Sequence, residues 1–164
     1  MIWNYIIPFV ISMVLLILAS VTDIKYKKIP NIITLSGICI GIIFNVVSAI
    51  ILRTYGQMII NFIVMILLFF IGMTGILGLG DIKLLIALTA LNGALPAIIT
   101  AGFGSLYVII ISLITGTKEA KGELKMGIQT ILLRLPVYKY GRSVPFAPYM
   151  LAGYISAMIL NYFL

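Results

Sequence analysis

Long apolar runs, broken by short polar or charged stretches, make up most of the chain. A helix needs about 20 apolar residues to cross the hydrocarbon core of a bilayer. The basic stretch Lys25–Lys28 and the stretch Arg53–Gln57 interrupt the first runs. The pattern predicts three transmembrane helices in the first half of the chain, from about Ile2 to Thr22, Ile32 to Leu52 and Met58 to Leu77.

The second half of the chain predicts three more spans. The apolar run from Leu84 to Thr115 is too long for one span and short for two, so we divide it at a turn formed by Asn92-Gly93 and Pro96. The fourth span is then short or tilted. The fifth runs from about Ala97 to Thr115, and the sixth from about Pro145 to Leu164.

The polar connection between the last two spans, residues 117–143, has apolar residues on one face of a helix. These residues are Leu124, Ile128, Ile131, Leu132 and Leu135. The spacing predicts an amphipathic helix on the membrane surface, with a solvated connecting helix as the alternative. The predicted fold is all-α: one integral membrane domain over residues 1–164, with six transmembrane helices and this interfacial helix.

Composition supports a membrane protein. Of the 164 residues, 63% are hydrophobic and 9% charged, whereas soluble domains have roughly 45–50% and about 25%. A water-soluble globule is therefore excluded, and the lipid bilayer is an expected partner. One Cys and no His exclude a disulfide framework and imidazole catalysis. Cys39 lies in an apolar run and is expected to be buried, and we expect no metal and no cofactor.

The charges are distributed unevenly among the connections. The net charge is +7, but basic residues beside apolar spans are typical of the cytoplasmic side of a membrane, so we expect no nucleic-acid partner. With six spans, Arg53 is the only basic residue on one side of the membrane. The other side, predicted to be cytoplasmic, receives Lys25, Lys27, Lys28, Lys83, Lys118, Lys121, Lys125, Arg134, Lys139 and Arg142. The protein is then expected in the cell membrane, with both termini on the extracytoplasmic side.

Acidic residues are few: Asp23, Asp81, Glu119 and Glu123. Asp23 follows the first span and Asp81 precedes the fourth, so both emerge on the predicted cytoplasmic face. Two neighbouring carboxyl groups can share a proton, one acting as base on water and the other as acid on a carbonyl. This chemistry is that of an aspartic protease. For either residue alone, a helix N-cap or an interfacial charge is the alternative.

Three segments carry motifs. Asp81 ends the sequence Gly78-Leu79-Gly80-Asp81 and is followed by Ile82 and Lys83. Asp23 precedes a basic stretch and then Ile29-Pro30-Asn31, where Pro30 is expected to start the second helix. The third segment, Val144–Tyr149, combines prolines with aromatic residues and leads to Gly153. Gly37 and Gly41 are instead expected to form a helix-packing contact.

Together, these segments resemble the type IV prepilin peptidases, GxGD-type intramembrane aspartyl proteases similar to archaeal preflagellin peptidases. The resemblance implies that Asp23 and Asp81 are a catalytic dyad at the cytoplasmic membrane boundary, with Gly78 and Gly80 shaping the backbone beside Asp81. Lys83 and the segment Ile29-Pro30-Asn31 complete the implied site.

The resemblance also implies a substrate. This is a prepilin-like or preflagellin-like precursor, of Tad/Flp-type pilin or archaellin-like systems, whose short basic leader is cut off before a hydrophobic helix. The paired Cys-x-x-Cys motifs of the long bacterial members are missing, so we expect a short peptidase-only form that does not use S-adenosylmethionine.

Two other classes of function remain open. In a small ion- or proton-coupled transporter subunit, the aspartates would relay protons or bind a cation. In a non-catalytic assembly subunit of a pilus or secretion system, they would only cap helices. The oligomeric state is also open.

Overall fold

A computed structural model of the chain describes residues 3–74, 78–115 and 145–163. These ranges contain helices and no strands. The helices are α1 Trp3–Tyr26, α2 Asn31–Leu52, α3 Tyr55–Met73, α4 Leu79–Asn92, α5 Ala94–Thr115 and α6 Ala147–Phe163. The predicted amphipathic helix at 117–143 lies outside the described residues.

Four of these helices are long and apolar enough to cross a membrane. The qualifying segments are Ile6–Tyr26, Asn31–Leu52, Tyr55–Met73 and Ala94–Ile111. The apolar part of α6, Ala147–Leu160, is shorter, and α4 has only 14 residues. The predicted class, a polytopic all-α membrane protein, is confirmed.

Helices α1 and α4 extend beyond the apolar runs that predicted them, whereas α3 ends at Met73, before the predicted Leu77. The first was expected to end near Thr22, but α1 continues to Tyr26 and includes Asp23. It ends where Lys27 adopts a positive φ of 50°. The fourth was expected to begin at Leu84, but α4 begins at Leu79 and includes Asp81. Hydropathy marks the part of a helix that suits lipid, whereas backbone hydrogen bonding continues into the polar flanks.

The turn between α4 and α5 lies at Gly93, whose φ is 92°. Glycine adopts this backbone region without steric cost. The backbone N–H of Ala94 donates to Asn61 Oδ1 at 3.0 Å, which satisfies a donor at the start of α5. The Asn92-Gly93 turn is therefore confirmed. The turn does not extend to Pro96, because α5 begins at Ala94 instead of the predicted Ala97 and Pro96 lies in its first turn, where proline is tolerated.

Helix α4 is the central element of the fold. It packs against α1, α2, α3 and α5, and its residues from Leu84 to Leu91 are all buried. Leu84 and Leu88 share a core cluster with Leu16 of α1 and with Met150 of α6. A 14-residue helix is about 21 Å long at 1.5 Å per residue, which is short for a span, as predicted.

Small residues let α2 approach α4. Gly37 faces Ala87, and Gly41 faces the backbone of Ala90 and Leu91, so the predicted packing contact is confirmed. A Cβ at Gly41 would lie 3.0 Å from the Ala90 carbonyl carbon. Cys39 lies on another face of α2 and is exposed. Its expected burial is wrong, because an apolar residue of a membrane helix can face lipid as readily as the core.

Helices α5 and α6 also cross at glycines. A Cβ at Gly153 would lie 2.5 Å from the Thr100 carbonyl oxygen and 2.7 Å from the Gly104 nitrogen. Both atoms belong to the α5 backbone, so neither can move aside as a side chain does. Near this crossing, the hydroxyl groups of Tyr107 and Ser156 share a hydrogen bond of 2.7 Å.

We predict that Gly153→Ala separates α5 from α6 and destabilises the protein by about 1–3 kcal/mol, the usual range for overpacking. Gly102→Ala is the matched control, because Gly102 is in the same helix pair and a Cβ there meets nothing within 4 Å. It should leave stability unchanged or raise it slightly. Thermal unfolding in detergent micelles measures both, and equal unfolding midpoints would contradict the prediction.

Candidate active site

Four helix ends meet around one cavity. The end of α1 and the starts of α2, α4 and α6 contribute to a cleft of about 670 Å³. All eight residues singled out in the sequence line it: Asp23, Ile29, Pro30, Asn31, Gly78, Gly80, Asp81 and Lys83. The fold therefore brings together two motifs that lie about fifty residues apart in the chain.

Asp23 is buried, with 7% of its surface exposed. Its Oδ2 accepts a hydrogen bond of 3.0 Å from the backbone N–H of Ala147, the first residue of α6. The N-cap alternative is thus partly right, because Asp23 satisfies a free donor of a helix, though of a helix 124 residues later in the chain. This contact fixes the orientation of the carboxyl group.

The contact with Ala147 was missed by sequence reasoning. The proline-aromatic segment lies at the predicted start of the last helix, and Phe146 from it lines the cleft. Prolines around Ala147 are typical of a helix start, which is the only signal the sequence offers. Nothing in the spacing pairs that start with Asp23, because the pairing depends on how α1 packs against α6.

Asp81 lies in the first turn of α4, before the apolar part of that helix and outside the four candidate spans. Desolvation by burial, followed by the negative charge of Asp23, raises the pKa of the Asp81 carboxyl from its usual 3.8 to about 6. Both effects disfavour the ionised form. The proton of such a pair is therefore held more readily on Asp81 than on an isolated aspartate.

The two glycines before Asp81 have different surroundings. A Cβ at Gly78 would lie 2.8 Å from Asp81 Oδ2, whereas one at Gly80 would lie 3.4 Å from Ile29 Cβ. Gly78 is the N-cap of α4, and the Asp81 carboxyl group occupies the space that a side chain at Gly78 would need. The absence of a side chain at Gly78 is what allows this position, while Gly80 lets α4 lie against Ile29.

The Ile29-Pro30-Asn31 segment precedes and begins α2, and its last residue forms a hydrogen bond with α4. Pro30 is the N-cap of α2, close to its expected role at the helix start. Asn31 Oδ1 accepts a hydrogen bond of 2.8 Å from Lys83 Nζ. Lys83 is two residues after Asp81, so this bond fixes the start of α4 relative to the start of α2.

Other residues also line the cleft. Lys27 and Lys28 do so, as expected from the basic surroundings of the two aspartates. Lys25 does not belong to the lining, and its Nζ lies 5.2 Å from the centre of the Tyr26 ring. Tyr26 and Leu79 line the cleft without having been singled out. Among the described residues, no three His, Cys, Asp or Glu side chains are grouped as a metal ion would require.

In the described part of the chain, six packed helices hold two aspartates in a cleft at one end of the bundle, which defines a polytopic membrane protein with a carboxylate site. The sequence model of the type IV leader peptidase family matches residues 10–117. This is more than half of the chain, and the chain belongs to that family. Neither the curated proteins nor the solved structures gave a match. The protein is therefore a multi-pass membrane peptidase, and its family implies prepilin-like substrates.

We predict that Gly78→Ala lowers the rate of leader cleavage at least tenfold, because the added methyl group displaces the Asp81 carboxyl group. Gly80→Ala is the matched control from the same motif. Its methyl group would make only a tight van der Waals contact with Ile29, so its effect should be smaller. Cleavage of a prepilin-like precursor measures both, and a larger loss in Gly80→Ala would contradict the argument.

We also predict that Asp81→Asn stabilises the protein at neutral pH. Since the folded pKa of about 6 lies above the ordinary value of 3.8, the contribution of the Asp81 carboxyl group to stability is greatest below pH 3.8 and is lost as the pH rises through 6. Asparagine stays neutral and avoids this loss, which is roughly 1–2 kcal/mol after allowance for solvent screening. Unfolding midpoints of the two proteins in detergent should differ at pH 7.5 and converge near pH 4. A difference between the two midpoints that does not change with pH would contradict the raised pKa of Asp81.

Proposed function

We propose that Asp23 and Asp81 are the catalytic dyad of an aspartic-type leader peptidase. In this proposal the protein cuts the short basic leader from prepilin-like precursors, of the Tad/Flp-type pilin or archaellin-like kind, at the cytoplasmic face of the membrane. One observation carries the proposal: the only two aspartates of the chain line the same cleft, although α2 and α3 separate them in sequence.

Two observations support different roles for the aspartates. Asp81 has a raised pKa, which suits a general acid that must hold a proton near neutral pH. Asp23 accepts the N–H of Ala147 on Oδ2, which orients its carboxylate as a general base. We therefore assign the water-activating role to Asp23 and the carbonyl-protonating role to Asp81.

The reaction needs only these two groups and water. One proton of the water passes to the Asp23 carboxylate while the water oxygen bonds to the scissile carbonyl carbon. Asp81 donates its proton to the carbonyl oxygen, giving a neutral gem-diol. When the C–N bond breaks, the leaving nitrogen takes the proton from Asp23. One gem-diol hydroxyl returns its proton to Asp81 as the carboxylic acid product forms.

The charges at the two ends of the bundle support the proposed membrane side. Lys27, Lys28 and Lys83 line the cleft, whereas Arg53 is the C-cap of α2 at the opposite end of that helix. The excess of basic residues favours the cytoplasm for the cleft end. The N-terminus of α1 and the C-terminus of α6 then face the extracytoplasmic side.

The alternatives are supported less well. Membership of a peptidase family favours proteolysis over transport. A non-catalytic assembly subunit would retain its role without either carboxyl group, so it makes a different prediction for the conservative variants of the aspartates.

We predict that Asp23→Asn and Asp81→Asn each lower leader cleavage about 100-fold or more, the effect expected when a general acid or base is lost. The measurement is co-expression with a tagged prepilin-like precursor, on a gel that resolves loss of the leader. Glu119→Gln and Glu123→Gln remove the same charge from the two other acidic residues and should cleave at the wild-type rate.

Equal membrane insertion of all four variants is the control for folding. If either aspartate variant inserts normally and cleaves at a rate comparable to wild type, the dyad is wrong.

A further inference from the structure

A second cavity adjoins the cleft on the side of the bundle where α2 and α3 lie next to each other. This α2–α3 groove has a volume of about 590 Å³ and is lined mainly by apolar side chains. Those of α2 include Leu35, Ile38 and Ile42, and those of α3 include Phe62, Ile66 and Phe70. Leu35 is 62% exposed and Ile66 55% exposed, so the groove is open along the outside of the bundle.

The groove is continuous with the cleft. Asn31 and Lys83 line both cavities, and their side chains are hydrogen-bonded to each other. Lys83 also lines the cleft together with Asp81, which lies two residues before it on α4. A polypeptide that lies in the groove therefore reaches the Asp81 carboxyl group as soon as it passes these two polar side chains.

The dimensions suit a helical segment. The groove extends along α2 from Asn31 to Ile42, which is about 16 Å at the rise of an α-helix. The hydrocarbon core of a bilayer is about 30 Å thick, so the groove covers about half of it, starting at the membrane boundary where the cleft lies.

Another apolar groove provides a comparison. The α1–α2 groove has a volume of about 440 Å³ and is lined by residues that include Val14 and Ile40. None of its lining residues also lines the cleft. Both grooves can accept a lipid chain, but of the two only the α2–α3 groove leads to the aspartates. This continuity favours a substrate segment over lipid as its occupant.

We propose that the α2–α3 groove binds the first turns of the hydrophobic helix that follows the leader in the precursor. The precursor then leaves the groove across the hydrogen-bonded side chains of Asn31 and Lys83, where a polar amide and an ammonium group can bind its freed backbone carbonyls. Its scissile bond enters the cleft in extended form. This inference rests on the proposed function, which supplies the order of leader, scissile bond and hydrophobic helix.

Cross-linking tests the groove without any cleavage. In a Cys39→Ala, Asp81→Asn chain, Ile66→Cys places one cysteine in the α2–α3 groove, and Val14→Cys places one in the α1–α2 groove as the control. The precursor has a single cysteine in the first turns of its hydrophobic helix. We expect at least tenfold more cross-linked product from Ile66→Cys. Equal yields, as expected if the α2–α3 groove holds only lipid, would overturn the proposal even if the dyad is right.

Kinetics provide a second test. We compare the intact precursor with a peptide that spans the cleavage site and lacks the hydrophobic helix. Leu35→Trp fills the α2–α3 groove. It should lower kcat/KM for the precursor, relative to kcat/KM for the peptide, at least tenfold. Ile40→Trp, in the α1–α2 groove, should keep the wild-type ratio. An unchanged ratio in Leu35→Trp would overturn the proposal that the groove binds the precursor. Peptide cleavage by Asp81→Asn would instead refute the dyad.

Discussion

The burial of the short helix α4 is the constraint on which the rest of the structure depends. Its residues from Leu84 to Leu91 are all buried, so the helix is shielded from lipid and its polar ends need partners within the bundle. At one end, Asn61 accepts the N–H of Ala94, and Asn92 bonds to Ser12 and Tyr154. At the other end is Asp81, whose partial burial follows from the same packing.

The two aspartates reach the cleft by different means. Asp23 is part of α1 and is fixed by a backbone donor of α6, so its position depends on the contact between the first and last helices. Asp81 lies in the first turn of its own helix, where Gly78 leaves room for the carboxyl group. One carboxyl group therefore accepts a helix N–H and the other is held in a desolvated position. In the proposed mechanism, this difference distinguishes the general base from the general acid.

The glycines of the bundle bring its helices close together. Gly41 lets α2 approach α4, and Gly153 lets α6 approach α5. Without a hydrophobic driving force between helices in lipid, such close backbone contact is a main source of packing energy. The α2–α4 contact also brings Asn31 within 2.8 Å of Lys83. The cleft is thus assembled by the same helix contacts that hold the bundle together.

The sequence by itself determined the class of fold and the approximate helices, because hydropathy and charge are local properties, and its motifs supplied the residues proposed for the site. The turn at Gly93 was also predictable, since glycine is suited to a positive φ. Only the tertiary structure decided that Asp23 bonds to Ala147, that Cys39 faces outward, and that a groove joins the cleft at Asn31 and Lys83. Each of these depends on the rotation and approach of whole helices. In lipid, apolar side chains facing inward and outward are alike, so the sequence pattern does not record that rotation.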